Sequence, residues 1–161
     1  MKELLLLDEV NVKACVPVDM DAAAFVGARV SLADAFKVAI VVNMGDSVGA
    51  VVDFTLKQHN AASGGTSKVL SIMNPYFKKA GAATSFTTVL PTVAASNYVL
   101  SGDFAAQEGV VVFEVCAEDL DVEGGFSHIS IEAADSTAAK LISVLYVAHK
   151  CKVNPAHAVA I

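Results

Sequence analysis

At 161 residues the chain has the length of one domain, and a domain of this size buries about 68–70% of the surface its unfolded form exposes, enough for a real core. Hydrophobic residues make up 55% of the sequence and charged ones 17%, against roughly 25% charged in an average globular protein. With a net charge of -6, and only Lys78 with Lys79 and Lys150 with Lys152 as basic pairs, a phosphate-binding surface is excluded and no nucleic-acid partner is expected.

So little charge is a weak guard against association, so apolar surface covered by partner subunits is expected. Apolar runs break within about ten residues, short of the 18 or so that a membrane-spanning helix needs, and no membrane partner is expected. The opening Met1-Lys2-Glu3-Leu4-Leu5-Leu6-Leu7-Asp8 is too short in its apolar run for a signal-peptide core and reads as a first strand or an arm, residues 1–9. Cys15, Cys116 and Cys151 read as free, buried thiols in a reducing compartment.

Alternation and β-branched residues dominate, and helical periodicity is hard to find over any window of a dozen or so residues. Glu9 to Val18 is the first expected strand, with Val10, Val12, Ala14 and Val16 on one side. Ala22 to Val30 fits either a short helix or a weak strand. Phe36 to Asn43 is nearly all apolar, which suits a strand covered on both faces. Met44 to Ser47 supplies turn chemistry, and Val48 to His59 alternates, so the two strands are expected to form a hairpin. Asn60 to Ser67 is a flexible loop. Pro75 divides Lys68 to Lys79 into two short extended pieces.

Phe86 to Leu90 and Tyr98 to Leu100 are further short strands. Gly109 to Glu118 is the clearest strand in the chain, and after an acidic turn at Asp119 to Gly125 the segment Phe126 to Ala133 reads as its return. Lys140 to Val153 is the last long strand, followed by an apolar tail, residues 154–161. Eight to ten strands with closely spaced turns predict an all-β fold with little helix, an antiparallel β-sandwich or jelly-roll-like barrel, in a single domain over residues 1–161.

Three constellations invite chemical readings. Gly45-Asp46-Ser47 follows an apolar strand, where a serine esterase would hold its nucleophile. That serine needs a histidine base oriented by a third group, and the sequences ending at His149 and His157 lack the aspartate. His149 and Cys151 fall on one face of a strand, and Cys116, His128 and His157 would have to complete a zinc set. Zinc sites normally show two closely spaced ligand pairs, and only one loose pair is present. Glu118, Asp119, Asp121 and Glu123 do not follow the order of an EF-hand loop and read as a solvated hairpin tip. No catalytic residue, cofactor site or metal site is therefore expected.

The segments Phe36 to Val42 with Val51 to Gln58, Gly109 to Val115, and Val144 to Ala156 occur in an order that resembles small β-sandwich structural proteins of tailed bacteriophages, of the head-decoration or cement type. The resemblance implies a non-enzymatic virion protein, made in the host cytoplasm and located on the capsid surface. Its partners would be the major capsid protein and further copies of itself, as a homotrimer. It further implies that Leu4, Leu5, Leu6 and Leu7, with Val159 and Ile161 in the tail, act as arms reaching neighbouring subunits. A neck, tail or fibre-base component, or a glycan- or calcium-binding sandwich module, are the alternatives.

Overall fold

The computed structural model describes residues 10–21, 23–46, 53–94, 97–99, 104, 107–134 and 139–150. Within them the long strands are β1 (Val10–Ala14), β5 (Ala35–Met44), β6 (Asp53–His59), β8 (Tyr76–Ala80), β11 (Gly109–Cys116), β12 (His128–Ala133) and β13 (Leu141–Lys150). Shorter pieces are β2 (Val18–Asp19), β3 (Phe25–Val26), β4 (Val30–Ser31), β7 (Ser67–Val69), β9 (Thr87–Val89) and β10 (Asn97–Val99), and the one helical element is a 3₁₀ turn at Ala117–Asp119. Thirteen strands exceed the eight to ten expected, because stretches read as ambiguous or as loops contribute pieces of two or three residues.

Two antiparallel sheets pack face to face as a β-sandwich. One runs β1-β13-β5-β11-β8-β9, with β2 also on β13, and the other runs β10-β6-β12-β3, with β4 on β12 and β7 on β6. Period-two burial along β11, where Gly109, Val111, Phe113 and Val115 are buried and the residues between them are not, shows why alternation fixed the strands so well.

Pairing was less readable. β5 and β6 do not form the expected hairpin: β5 lies between β13 and β11 in the seven-stranded sheet, and β6 pairs with β12, β10 and β7 in the other. β12 likewise crosses over to β6 and does not return along β11. The acidic segment after β11 is thus a crossover between sheets, not a hairpin tip. Gln58, buried on β6, accepts a hydrogen bond from the Asp121 amide at 2.8 Å and pins that crossover. Each of these two segments bridges layers because its flanking strands each offer one apolar side, and sandwich closure buries both sides at once.

Between the sheets Val38, Ile40, Val42, Val111, Phe113, Val144 and Tyr146 meet Phe25, Phe54, Leu56, Ile129 and Ile131. Phe113 packs against Tyr98 at 4.8 Å and Phe54 at 6.2 Å between ring centroids, tying both layers together. Each such side chain contributes about 1.5–3 kcal/mol by leaving water.

The split between β3 and β4 has a local cause. β12 pairs Glu132 with Val26 but Ile129 with Val30, so one extra residue bulges out around Gly27. The Gly27 amide donates to the Ile131 carbonyl at 2.9 Å, and the Ile131 amide donates to the Tyr146 hydroxyl, which arrives from the opposite sheet, at 3.2 Å. A Cβ on Gly27 would collide with both the Ile131 carbonyl oxygen and that hydroxyl, so glycine is needed for the approach.

Candidate functional site

Because a sheet alternates, each layer of the sandwich also has an outer face, and the two differ at their centres. At the centre of the six-stranded sheet the outward residues are polar, with Val26 and Val69 exposed at the margins: Lys57 and Glu132 form an ion pair at 2.6 Å, and Thr55, His59, Ser130 and His128 lie around them. His59 is held between two serine hydroxyls, Ser67 at 2.6 Å from Nδ1 and Ser130 at 2.8 Å from Nε2. Arg29 donates to Ser67 Oγ at 3.4 Å and to the Ala61 and Gly64 carbonyls at 2.9 and 2.5 Å.

Each serine hydroxyl can donate to or accept from the ring nitrogen it faces, according to the imidazole tautomer. Ser130 is 1% exposed, and Ser67 is fastened between a guanidinium and an imidazole. The constellation works as a latch that fastens residues 60–67 to the sheet. Burial, followed by the nearby Arg29 charge, holds the His59 imidazole below its ordinary range, with Glu132 acting the other way.

The outward residues of the seven-stranded sheet are mainly apolar along its centre and polar on one flank. Ala14, Leu145, Val41, Val112, Phe77 and Thr88 pair in a single row across six strands. Val12, Val147 and Ala39 form a second row on one side of it, ending at Glu114. Ser143, Asn43, Val110 and Lys79 form a third on the other. Val12 is 45% exposed and Leu141 55%, the mid-sheet valines are half-buried, and Phe86 and Leu90, flanking the edge strand β9, are exposed as well. The charges stand at the strand ends. Lys37 and Glu114 pair at 3.0 Å at one end, and Lys79 and Glu108 lie at the other beside a shallow depression of about 320 Å³ lined by Asn43, Lys79, Gly81, Glu108 and Val110.

The expectation that β5 is covered on both sides is corrected here: its core side holds Val38, Ile40 and Val42, and its other side carries Ala39 and Val41 on the open row. Val12 and Ala14, with the buried Val10, also point to this outer side, because Lys13 and Asn11 pair with the inward Tyr146 and Ala148. This face is the candidate functional site. An apolar sheet face of such extent is what a protein partner would cover.

The residues singled out in sequence are placed as follows. Leu4, Leu5, Leu6, Leu7, Val159 and Ile161 lie outside the described residues, as do Ser47, Cys151 and His157. Cys116 and His149 stand two strands apart with Lys37 between them on the outer face of the seven-stranded sheet, and His128 lies on the outer face of the other sheet, so these ligands do not converge. Among the described residues no group of three or more metal-ligating side chains comes together. Cys15 and Cys116 are free, as expected, but half-buried instead of buried. Burial and the nearby Asp119 raise the Cys116 thiol.

The acidic crossover spends its oxygens internally. Asp119 accepts from the Cys116 amide and from Asn74 at 2.7 Å each, and Asp121 accepts from Gly124 at 2.9 Å and pairs with Lys68. Among the described residues no helix is long and apolar enough to cross a membrane.

Comparison with protein-family models, with curated proteins and with solved structures gives no significant match.

Proposed function

We propose that this chain is a non-enzymatic structural protein of a tailed-phage virion that binds the outside of the capsid and reinforces contacts between major capsid subunits. The observation that carries this reading is the apolar outer face of the seven-stranded sheet, in a chain of which only 17% is charged. A cement protein works by contributing interface area at many equivalent points. That task calls for a rigid sandwich with one face given over to contact, and it calls for no nucleophile, base or cofactor.

The test is electron microscopy of purified particles from a phage carrying this gene, with the chain identified in them by mass spectrometry. Density on the capsid exterior where several major capsid subunits meet is the expected result. Density confined to the portal vertex or tail would replace the reading with that of a neck or tail component, and absence of the chain from particles would overturn both.

A further inference from the structure

We propose that the outer face of the seven-stranded sheet binds a second copy of this chain, face to face, about a two-fold axis lying in the plane of the contact along the row Leu145, Val41, Val112 and Phe77. This rests on the reading of that face as a protein-docking surface and names the partner.

Charge is the first argument for a second copy. The chain carries a net charge of -6, so two copies repel unless they meet where that charge is absent. The central row holds no ionisable residue, and the charged groups stand towards the strand ends, with Lys37, Glu114 and His149 at one end and Lys79, Glu108 and Asp19 at the other. Rotation by a half turn about the row keeps each strand over its counterpart and reverses its direction. The Glu114 row of one copy then lies over the Lys79 row of the other, and the Lys37 end lies over the end that carries Glu108. Each of these charges then lies one strand spacing, about 4.8 Å, to the side of an opposite charge on the other copy, and Val41 and Val112 meet their own counterparts on the axis.

Area is the second argument. The three rows hold six, four and four residues, and at about 4.8 Å between strands and about 6.8 Å between rows they cover roughly 460 Å² in plan per copy. The pair reaches about 900 Å², just under the size of a specific interface and suited to a weak dimer. Packing of two sheets with their strands nearly aligned is the geometry already used inside the sandwich. The depression beside Lys79 and Glu108 lies in the part of the face that meets the Lys37 end of the other copy.

Sedimentation equilibrium of the full chain tests the pairing. A dimer with a dissociation constant on the order of 10 µM is expected for this modest area, and Val41→Lys and Val112→Asp are each expected to give monomers with unchanged circular dichroism and melting. Thr55→Lys, on the outer face of the other sheet, serves as the control and is expected to leave the mass unchanged. Lys79→Glu sets like charges against each other and is expected to weaken the dimer about tenfold, and adding Glu114→Lys is expected to recover part of that loss.

A monomer at about 1 mM, far above the expected constant, overturns the proposal. A trimeric mass overturns the two-fold, and a dimer indifferent to Val41→Lys overturns the location. Decoration of capsids by a chain that stays monomeric would defeat the pairing and leave the capsid role standing. A dimer that never enters particles would do the reverse.

Discussion

The two outer faces of the sandwich are built by the same alternation and carry opposite chemistry. On the six-stranded sheet the chain satisfies its own outward groups, with Lys57 answered by Glu132 and His59 by Ser67 and Ser130. On the seven-stranded sheet, Val41, Val112, Leu145 and Val147 face outward and are half-buried. A two-layer fold needs two apolar faces, one from each sheet, to close a core. A third apolar face adds nothing to that closure and costs solubility, so its presence speaks of something outside the chain.

Both outer faces stand on one shared core. Tyr146 is fully buried and its hydroxyl holds a backbone amide of the other sheet. Tyr146→Ala is expected to cost about 3–5 kcal/mol in denaturant unfolding and to loosen both layers together. A cost below about 1 kcal/mol would mean that the sheets do not depend on this bridge.

The latch on the polar face comes next. His59→Ala removes two hydrogen bonds from a buried site and is expected to cost about 1–3 kcal/mol, with faster proteolysis within residues 60–67 as the local readout. Its dependence on pH has a definite sign. The folded-state pKa values of His59 and His128 lie below the ordinary imidazole value, both mainly through burial. The unfolded chain therefore binds protons more readily, and stability is complete above the ordinary imidazole pKa and declines as pH falls from there through the lowered values. Melting scans between about pH 7 and pH 5 are expected to show a drop of roughly 2–4 °C, shallower in His59→Gln. A melting temperature that is flat or rises on acidification contradicts the burial of these rings.

The smallest effect belongs to the ion pair. Lys57 and Glu132 are partly exposed, so Lys57→Ala is expected to change the unfolding free energy by less than about 1 kcal/mol. A larger loss would make the polar face a structural network in its own right.

Strands were legible in this sequence, and their partners were not. Gly109 to Glu118 was expected as a strand and Gly109–Cys116 is one, because alternation of Val111, Phe113 and Val115 with Val112 and Glu114 depends only on local order. Whether β5 turns back on β6 or crosses to the other layer depends on which surfaces remain to be covered, and that is settled by residues far away, such as Val144 and Ile131. Strand pieces do stand on either side of Pro75, with β8 beginning at the next residue, as expected.

The candidate face was half legible. Sparse charge raised the expectation of a covered surface, and the apolar run of β5 that of a second covered side, where Ala39 and Val41 are only half-buried. Only the register, which sets Leu145 beside Val41 and Val112 beside Phe77, gathers those residues into one row. The His59 latch left no trace in sequence, since Arg29, Ser67 and Ser130 stand apart along the chain and none belongs to a motif.

The bulge at Gly27 gives one backbone proton an unusual custodian. In most strands an amide is released to solvent when its neighbouring strand frays, but the Ile131 amide is bonded to a side chain rooted in the opposite layer. Its exchange with deuterated water therefore follows separation of the two layers and not peeling of an edge. A single resonance, followed over hours in a spectrum of the whole protein, would clock how often the sandwich opens.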